Sequence, residues 1–346
     1  MHKTACRATL ATVLSLLLVF PQSSWSWGNS GHEAVAYVAW QLLTPQTKAR
    51  VIALLKQVPA LKGTTGTIAG YNEWVQQLPA GTTGDLEDEY LFMRAATWPD
   101  SIKHEGLHDS DTPPHGVSQD PVVGFTDKDS HGYWHFVDAP FASDSATYPT
   151  DTPAPNAATQ ISVMRQHIAS DDSDALKAYE VIWLEHMLGD IHQPLHGSNR
   201  FNASAGDAGG NLVKIKLSPV LEKKFQCPPE APSKTAPREL HAFWDQLPGS
   251  CSAITALAPA AAFGQAVPAA PEDKVADTDP NDWAAESLAL AKSDAYKIPI
   301  GPGVKPAGGT EYVITQDYYD QAFLDAQTRV ALAGARLAKL LNENLK

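Results

Sequence analysis

Only three cysteines occur among the 346 residues, too few for a small scaffold held by many disulfides. Basic residues are scarce as well: 26 Lys and Arg stand against 39 Asp and Glu, a formal net charge of −13. That deficit argues against a protein that grips nucleic acid through a basic groove, the usual source of affinity for a polyanion. Nucleic acid stays open as a substrate if bound cations supply the positive charge. Past the first 26 residues no run approaches the roughly 20 apolar residues that a membrane helix needs. There is no internal repeat, no segment that resembles an interdomain linker, and no alternation sustained enough for a large sheet.

What is present begins with a leader. Lys3 and Arg7 form a basic start, residues 9–20 are apolar or small, and Ser24-Trp25-Ser26 offers a small-x-small cleavage site. Residues 1–26 therefore read as a signal peptide and 27–346 as one exported domain that starts at Trp27. Losing Lys3 and Arg7 takes the formal charge from −13 to −15. Cys6 leaves with the leader, and Cys227 and Cys251 are expected to pair in an oxidising compartment.

The periodic segments are helical. Ser30-Gly31-His32-Glu33 reads as a capping box ahead of Val35, Val38, Ala39, Leu42 and Leu43 on one face. Thr44-Pro45 restarts a helix to about residue 58, with proline at its first position. Further helices are expected over 88–96, 158–169, 175–191, 237–247, 282–292 and 317–345, and a short hairpin arm over 212–217. Residues 103–130 and 252–280, rich in Asp, Pro and Gly or in Ala and Pro, read as long irregular excursions. The expected fold class is mainly α.

Chemistry concentrates in His186-x3-Asp190-x-His192-x3-His196. Residues four apart share a helix face, so His186 and Asp190 can hold one metal. Pro194 should end that helix and free His196 to turn toward a second metal, whereas His192 points to the opposite side. His241-x3-Asp245 repeats the imidazole–carboxylate spacing, bracketed by Cys227 and Cys251. Trp98-Pro99-Asp100, where a helix must stop or kink, adds a carboxylate; Trp134-His135, in an extended aromatic stretch, adds an imidazole. Taken alone, each of these reads as structural, and His32 reads as a solvated first-turn residue. His104, His108, His115 and His167 read as ordinary surface histidines, and His131 is the one competitor for the place given to His135.

Together with Trp27-Gly28, Gly31-His32 and Gly209-Gly210-Asn211, these elements resemble, in order, the type I, or S-one/P-one, nucleases, a family in one superfamily with bacterial zinc-dependent phospholipase C. The resemblance runs from Trp27 to about Asp245, with the C-terminal helix completing the fold. It implies a helical bundle with a trinuclear zinc cleft. Asp100, His135, His186 and Asp190 would hold the first zinc, and His196, His241 and Asp245 the second. The third would use the free amine and carbonyl of Trp27, with His32 and the bridging Asp190. By the same resemblance Lys103 would neutralise developing phosphate charge and Asp138 would orient it; Phe136 would stack a base and Asn211 contact substrate. Paired metals can activate water and stabilise both oxygens of an in-line displacement, and base stacking that tolerates any base favours single strands.

The expected activity is a secreted or periplasmic endonuclease on single-stranded DNA and RNA, leaving 5′-phosphates, with 3′-nucleotidase activity beside it. A monomer with no stable protein partner is expected. Pro99, Lys103 and the single available disulfide depart from the fungal pattern and leave substrate preference open. A phospholipase C-like diesterase is the alternative; Asp245, standing where those lipases have Glu, and the aromatic Phe136 favour the nuclease. A non-catalytic zinc-binding protein would lack Lys103 and Asp138, and both are present. Asn202-Ala203-Ser204 is a formal glycosylation sequon.

Overall fold

A computed structural model describes residues 27–345, apart from 64–65, 105–119, 143–144, 203–204, 227–235, 251–256, 298, 302–304 and 306–308. The expected signal peptide and the expected Cys227–Cys251 pair lie outside the described residues, as do His108 and His115.

The architecture is mainly α, as its sequence periodicity predicts. Helices α1 (Asn29–Leu42), α2 (Pro45–Leu55), α3 (Tyr71–Gln77), α4 (Asp85–Ala95) and α5 (Trp98–His104) form the first half. Then come α6 (Ala157–Ile168), α7 (Asp174–His192), α8 (Pro219–Glu222), α9 (Leu240–Asp245), α10 (Leu257–Ala266), α11 (Glu272–Ala276), α12 (Pro280–Leu290) and α13 (Gln316–Asn344). Among the described residues strands occur only as two-stranded pairs, β1 (Leu61–Lys62) antiparallel to β2 (Thr67–Ile68), β3 (Pro140–Ala142) parallel to β4 (Asn199–Phe201), and β5 (Ile215–Lys216) parallel to β6 (Tyr312–Val313). The 212–217 segment thus pairs with a distant strand and forms no hairpin.

Helix α7 is the axis of the molecule. Ser173 caps it by accepting from Leu176 N, and every residue from Lys177 to His192 is buried. A helix buried all round needs apolar neighbours on every side; α1, α2, α5, α6, α12 and α13 all pack on it. Its C-terminal carbonyls, which have no partner within the helix, are taken up from α12 and α13. Ser287 Oγ donates to Ile191 O at 2.6 Å and Arg329 Nε to His192 O at 2.9 Å.

Several expectations need correction. Helix α1 starts at Asn29, one residue before Ser30, and has no side-chain cap. Glu33 closes no capping box; it is buried and accepts from Arg94 Nη1 at 3.1 Å. Helix α4 ends at Ala95, ahead of Pro99 as expected, and Pro99 itself stands in the first turn of a new helix, α5, where its missing N–H costs nothing. Residues 252–280 contain α10 and α11, and His135 ends a 3-10 turn, Gly132–His135, in place of the extended stretch. Among the described residues no helix is long and apolar enough to cross a membrane.

Candidate metal centre

Four separate segments bring their side chains to α7. His186 and Asp190, one turn apart, face the same way, with His186 Nε2 3.1 Å from Asp190 Oδ2. His135 arrives from the 3-10 turn, its Nδ1 lying 2.8 Å from His186 Nε2 and 3.0 Å from Asp190 Oδ2. Asp100, near the start of α5, closes this group at 3.7 Å from His186 Nε2 and 3.8 Å from His135 Nδ1. His186 Nδ1 donates to Ala96 O at 2.7 Å, which fixes its tautomer and turns the Nε2 lone pair inward.

A second group forms beyond the end of α7. Three backbone links position it: Val137 N donates to His196 O at 2.8 Å, the β3–β4 pair continues that contact, and Gly28 N donates to Asp245 O at 2.9 Å. His196 Nδ1 donates to His135 O at 2.5 Å and His241 Nδ1 to Gly209 O at 2.6 Å. Gly209 must be glycine: its φ is +60°, and a Cβ there would fall 2.4 Å from Leu195 O. With both Nδ1 atoms donating outward, the two Nε2 atoms face each other at 3.1 Å, each 3.5–3.6 Å from Asp245.

That geometry discriminates between a hydrogen-bonded cluster and a cation site. Two Nε2 lone pairs at 3.1 Å repel unless something positive sits between them. A shared proton would satisfy the imidazoles but leave Asp245 too distant for a good bond, and Asp245 Oδ2 is buried with no hydrogen-bond partner. Tetrahedral coordination with zinc–nitrogen bonds of about 2.0–2.1 Å puts neighbouring ligand atoms roughly 3.3 Å apart, close to the observed 3.1, 3.5 and 3.6 Å. His196, His241 and Asp245 therefore fit a divalent cation, as do Asp100, His135 and His186.

His32 marks a third position. It is fully buried, contrary to the solvated first-turn reading, with its ring stacked on His186 at 3.7 Å and its Nε2 3.4 Å from Asp190 Oδ1. Neither ring nitrogen has a hydrogen-bond partner, and Asp190 Oδ1 has none either. Gly189 makes the approach possible, since a Cβ there would lie 2.8 Å from His32 Nδ1. Trp27 is buried one turn before His32, with its ring against Gly31.

The electrostatics suit a site that would hold cations. Burial would raise Asp190 and Asp100, yet surrounding imidazoles, and for Asp100 also Lys103, hold both well below the usual carboxylate range. Burial drives Asp245 up to about 8 against His241 and Gln193. Burial and the Lys103 ammonium bring His135 down to about 3, while burial and then His186 lower His32. A bound cation would invert the Asp245 shift and keep the imidazoles of these groups neutral and ligating.

The remaining expected residues fall differently. Lys103 forms an ion pair with Asp100 at 3.1 Å. The charged groups acting on Asp138 are His196 and Asp207, and burial raises its carboxyl to about 7; the expected Lys103–Asp138 pair does not form among the described residues. Phe136 is half-buried beside these groups. Asn211 Nδ2 donates to Ala208 O at 2.8 Å within its own turn. His192 faces away, donating from Nδ1 to Leu188 O at 2.7 Å while Arg336 Nη1 lies 2.9 Å from its Nε2. His131 is also elsewhere, 2.8 Å from Asp127 and stacked on Trp134. Gln193, which the spacing of the motif does not single out, donates to Asp245 Oδ1 at 2.8 Å and holds that carboxylate in place. Its only signal in the sequence is its position between His192 and Pro194.

The chain is similar to nuclease S1 of Aspergillus oryzae, 25% identical over 214 residues that cover 60% of this chain and 54% of that protein. It is also similar to endonuclease 4 of Arabidopsis thaliana, 25% identical over 339 residues that cover 91% of the chain and 88% of the relative. Endonuclease 3 of the same plant is 24% identical over 345 residues, with the same coverage. So the chain spans about half the length of the fungal relative and most of the plant ones. The S1/P1 nuclease family model matches residues 27–346, the whole chain after the expected leader, and the chain belongs to that family.

Proposed function

We propose that this protein is a secreted or periplasmic zinc-dependent endonuclease that cuts single-stranded DNA and RNA to 5′-phosphate products and also acts as a 3′-nucleotidase. The observation that carries the reading is the convergence of His196, His241 and Asp245 beside Asp100, His135, His186 and Asp190, with buried polar atoms that a bound cation would satisfy. Family membership supports phosphodiester chemistry at that place. Zinc held there supplies positive charge to phosphoryl oxygens and lowers the pKa of water. The chain's own residues do the rest. Asp190 joins the groups by facing His186 and His135 with one oxygen and His32 with the other. Lys103, held by Asp100, places a fixed ammonium at the edge of the first group. Phe136 offers a half-buried ring to a base, and Trp27, with its new amino terminus after cleavage, completes the third position with His32.

The deciding assay offers zinc-loaded protein single-stranded DNA, duplex DNA, RNA and phosphatidylcholine side by side. Fastest turnover on the single strands is expected; hydrolysis of the lipid alone would overturn the assignment. Chelation should lower the melting temperature by about 10 °C or more and abolish cleavage, because buried ligands from separate segments lose their common partner. An unchanged melt after verified metal removal would exclude the structural part. Phe136→Ala should weaken single-strand binding by about 1–3 kcal/mol, the worth of one base–aromatic stack, with metal content unaltered. Equal KM for variant and parent on an oligonucleotide would remove Phe136 from the site.

A further inference from the structure

We propose that the turn joining α6 to α7 binds one further divalent cation, zinc or a metal of similar softness, through His167, Asp172 and Glu180. His167 lies in the last turn of α6, Asp172 in the connection, and Glu180 in the second turn of α7. Their donor atoms all lie within 4.8 Å of one another. Glu180 is six residues before His186, about 9 Å along the same helix, so this position shares no ligand with the centre described above.

The observation that separates this cluster from an ordinary acidic surface is the state of Glu180. Its side chain is fully buried. One carboxylate oxygen faces His167 Nδ1 at 2.8 Å, and the other is sealed from water with no hydrogen-bond partner. A buried, half-satisfied carboxylate is costly. Burial and the nearby Asp172 push the Glu180 carboxyl up to about 8, which would leave it protonated at neutral pH. A proton on the orphaned oxygen, however, would be a donor with no acceptor, so the same atom would remain unsatisfied. A cation held by Glu180, His167 and Asp172 would neutralise that carboxylate without needing an acceptor for a proton.

Charge and access agree. Lys177 is the cation that acts on Glu180, and its Nζ is held by Ser170 O at 2.6 Å. With Glu180 and Asp172 both ionised the local sum is one negative charge before any metal enters. The His167 side chain is 37% exposed, which gives a route from solvent and room for water to complete the shell. One imidazole and two carboxylates make a donor set suited to zinc. Such an ion would tie the end of α6 to the start of the helix that carries His186 and Asp190.

Full-length protein carrying its tightly held metals, freed of excess, should be titrated with zinc chloride in a calorimeter. The parent should take up one more equivalent than Glu180→Gln or His167→Gln, and only the parent should gain melting temperature from added zinc. Cleavage of an oligonucleotide should be unchanged in both variants. Equal uptake by parent and variants, or none by any of them, would reduce the cluster to a buried His–Glu hydrogen bond and overturn the proposal. The His167→Gln change is at a half-exposed position and decides the question alone if Glu180→Gln does not fold. Because the comparison is a difference of one equivalent, it stands whatever the number of metals in the main centre.

Discussion

Asp190→Asn should lower kcat by at least about 10³-fold, comparable to or beyond the loss of one preorganised charge-stabilising group, and should release metal. The residue is fully buried, and one of its oxygens serves His186 and His135 while the other faces His32 and His196. Asparagine keeps the shape but removes the charge and turns half of the acceptor surface into a donor. Four imidazoles would then converge on a neutral amide. Metal analysis and single-turnover cleavage read the two losses separately. A variant with full metal content and parental kcat would show that Asp190 bridges nothing.

The control lies two residues along the same helix. His192→Ala removes an equally buried ring, so it should cost stability through the cavity it leaves, about 2–4 kcal/mol by analogy with other large-to-small core changes. Metal content and kcat should stay near the parent, because that ring contacts Leu188 O, Arg336 and Trp283 on the side of α12 and α13. Zinc loss in His192→Ala combined with full retention in His196→Ala would reverse the assignment of those two histidines.

The difference between 190 and 192 was legible in the sequence because it follows from helix periodicity alone. The same holds for most long helices, whose caps and apolar spacing lie within one segment. What could not be read depends on distant partners. His32 looks like a first-turn surface residue until Gly189, more than 150 residues later, lets its ring reach Asp190. Glu33 fits a capping box by spacing, but Arg94 competes for its carboxylate and prevails. Two-residue strands such as β3 and β4 carry no periodicity, yet their pairing beside His135 and His196 helps set the register of two groups. Helix α10 was hidden by composition: Ala and Pro between 257 and 266 suggest an irregular chain, and Pro259 is tolerated only because it falls in the first turn. Asp100 shows the remaining gap. Its proximity to His135 and His186 comes from how α5 packs on α7, which no local pattern encodes, whereas the Lys103–Asp100 pair is an i,i+3 contact within α5 itself.

A form of the protein that keeps one residue ahead of Trp27, such as an initiator Met, should lose one metal and most of its activity while retaining the other two. After cleavage the Trp27 amine nitrogen carries a lone pair; with any residue attached it becomes a peptide nitrogen whose lone pair is delocalised into the amide. His32 and Asp190 would then be left to hold the third metal with the Trp27 carbonyl alone. The geometry near the N-terminus makes the test clean. Trp27 is fully buried, and Gly28 N is tied to Asp245 O at 2.9 Å, so the position of Trp27 is anchored. The ligand atoms of Asp100, His135, His186, His196, His241 and Asp245 all come from elsewhere in the chain and should keep their metals. Activity should fall by about 10²–10³-fold, the usual consequence of losing one charge-stabilising element from the transition state. Mass spectrometry confirms the N-terminus of each form, and metal analysis with kcat on a single-stranded oligonucleotide decides the outcome. Equal metal content and equal kcat in the extended form would leave Trp27 as a buried aromatic and remove its amine from the site.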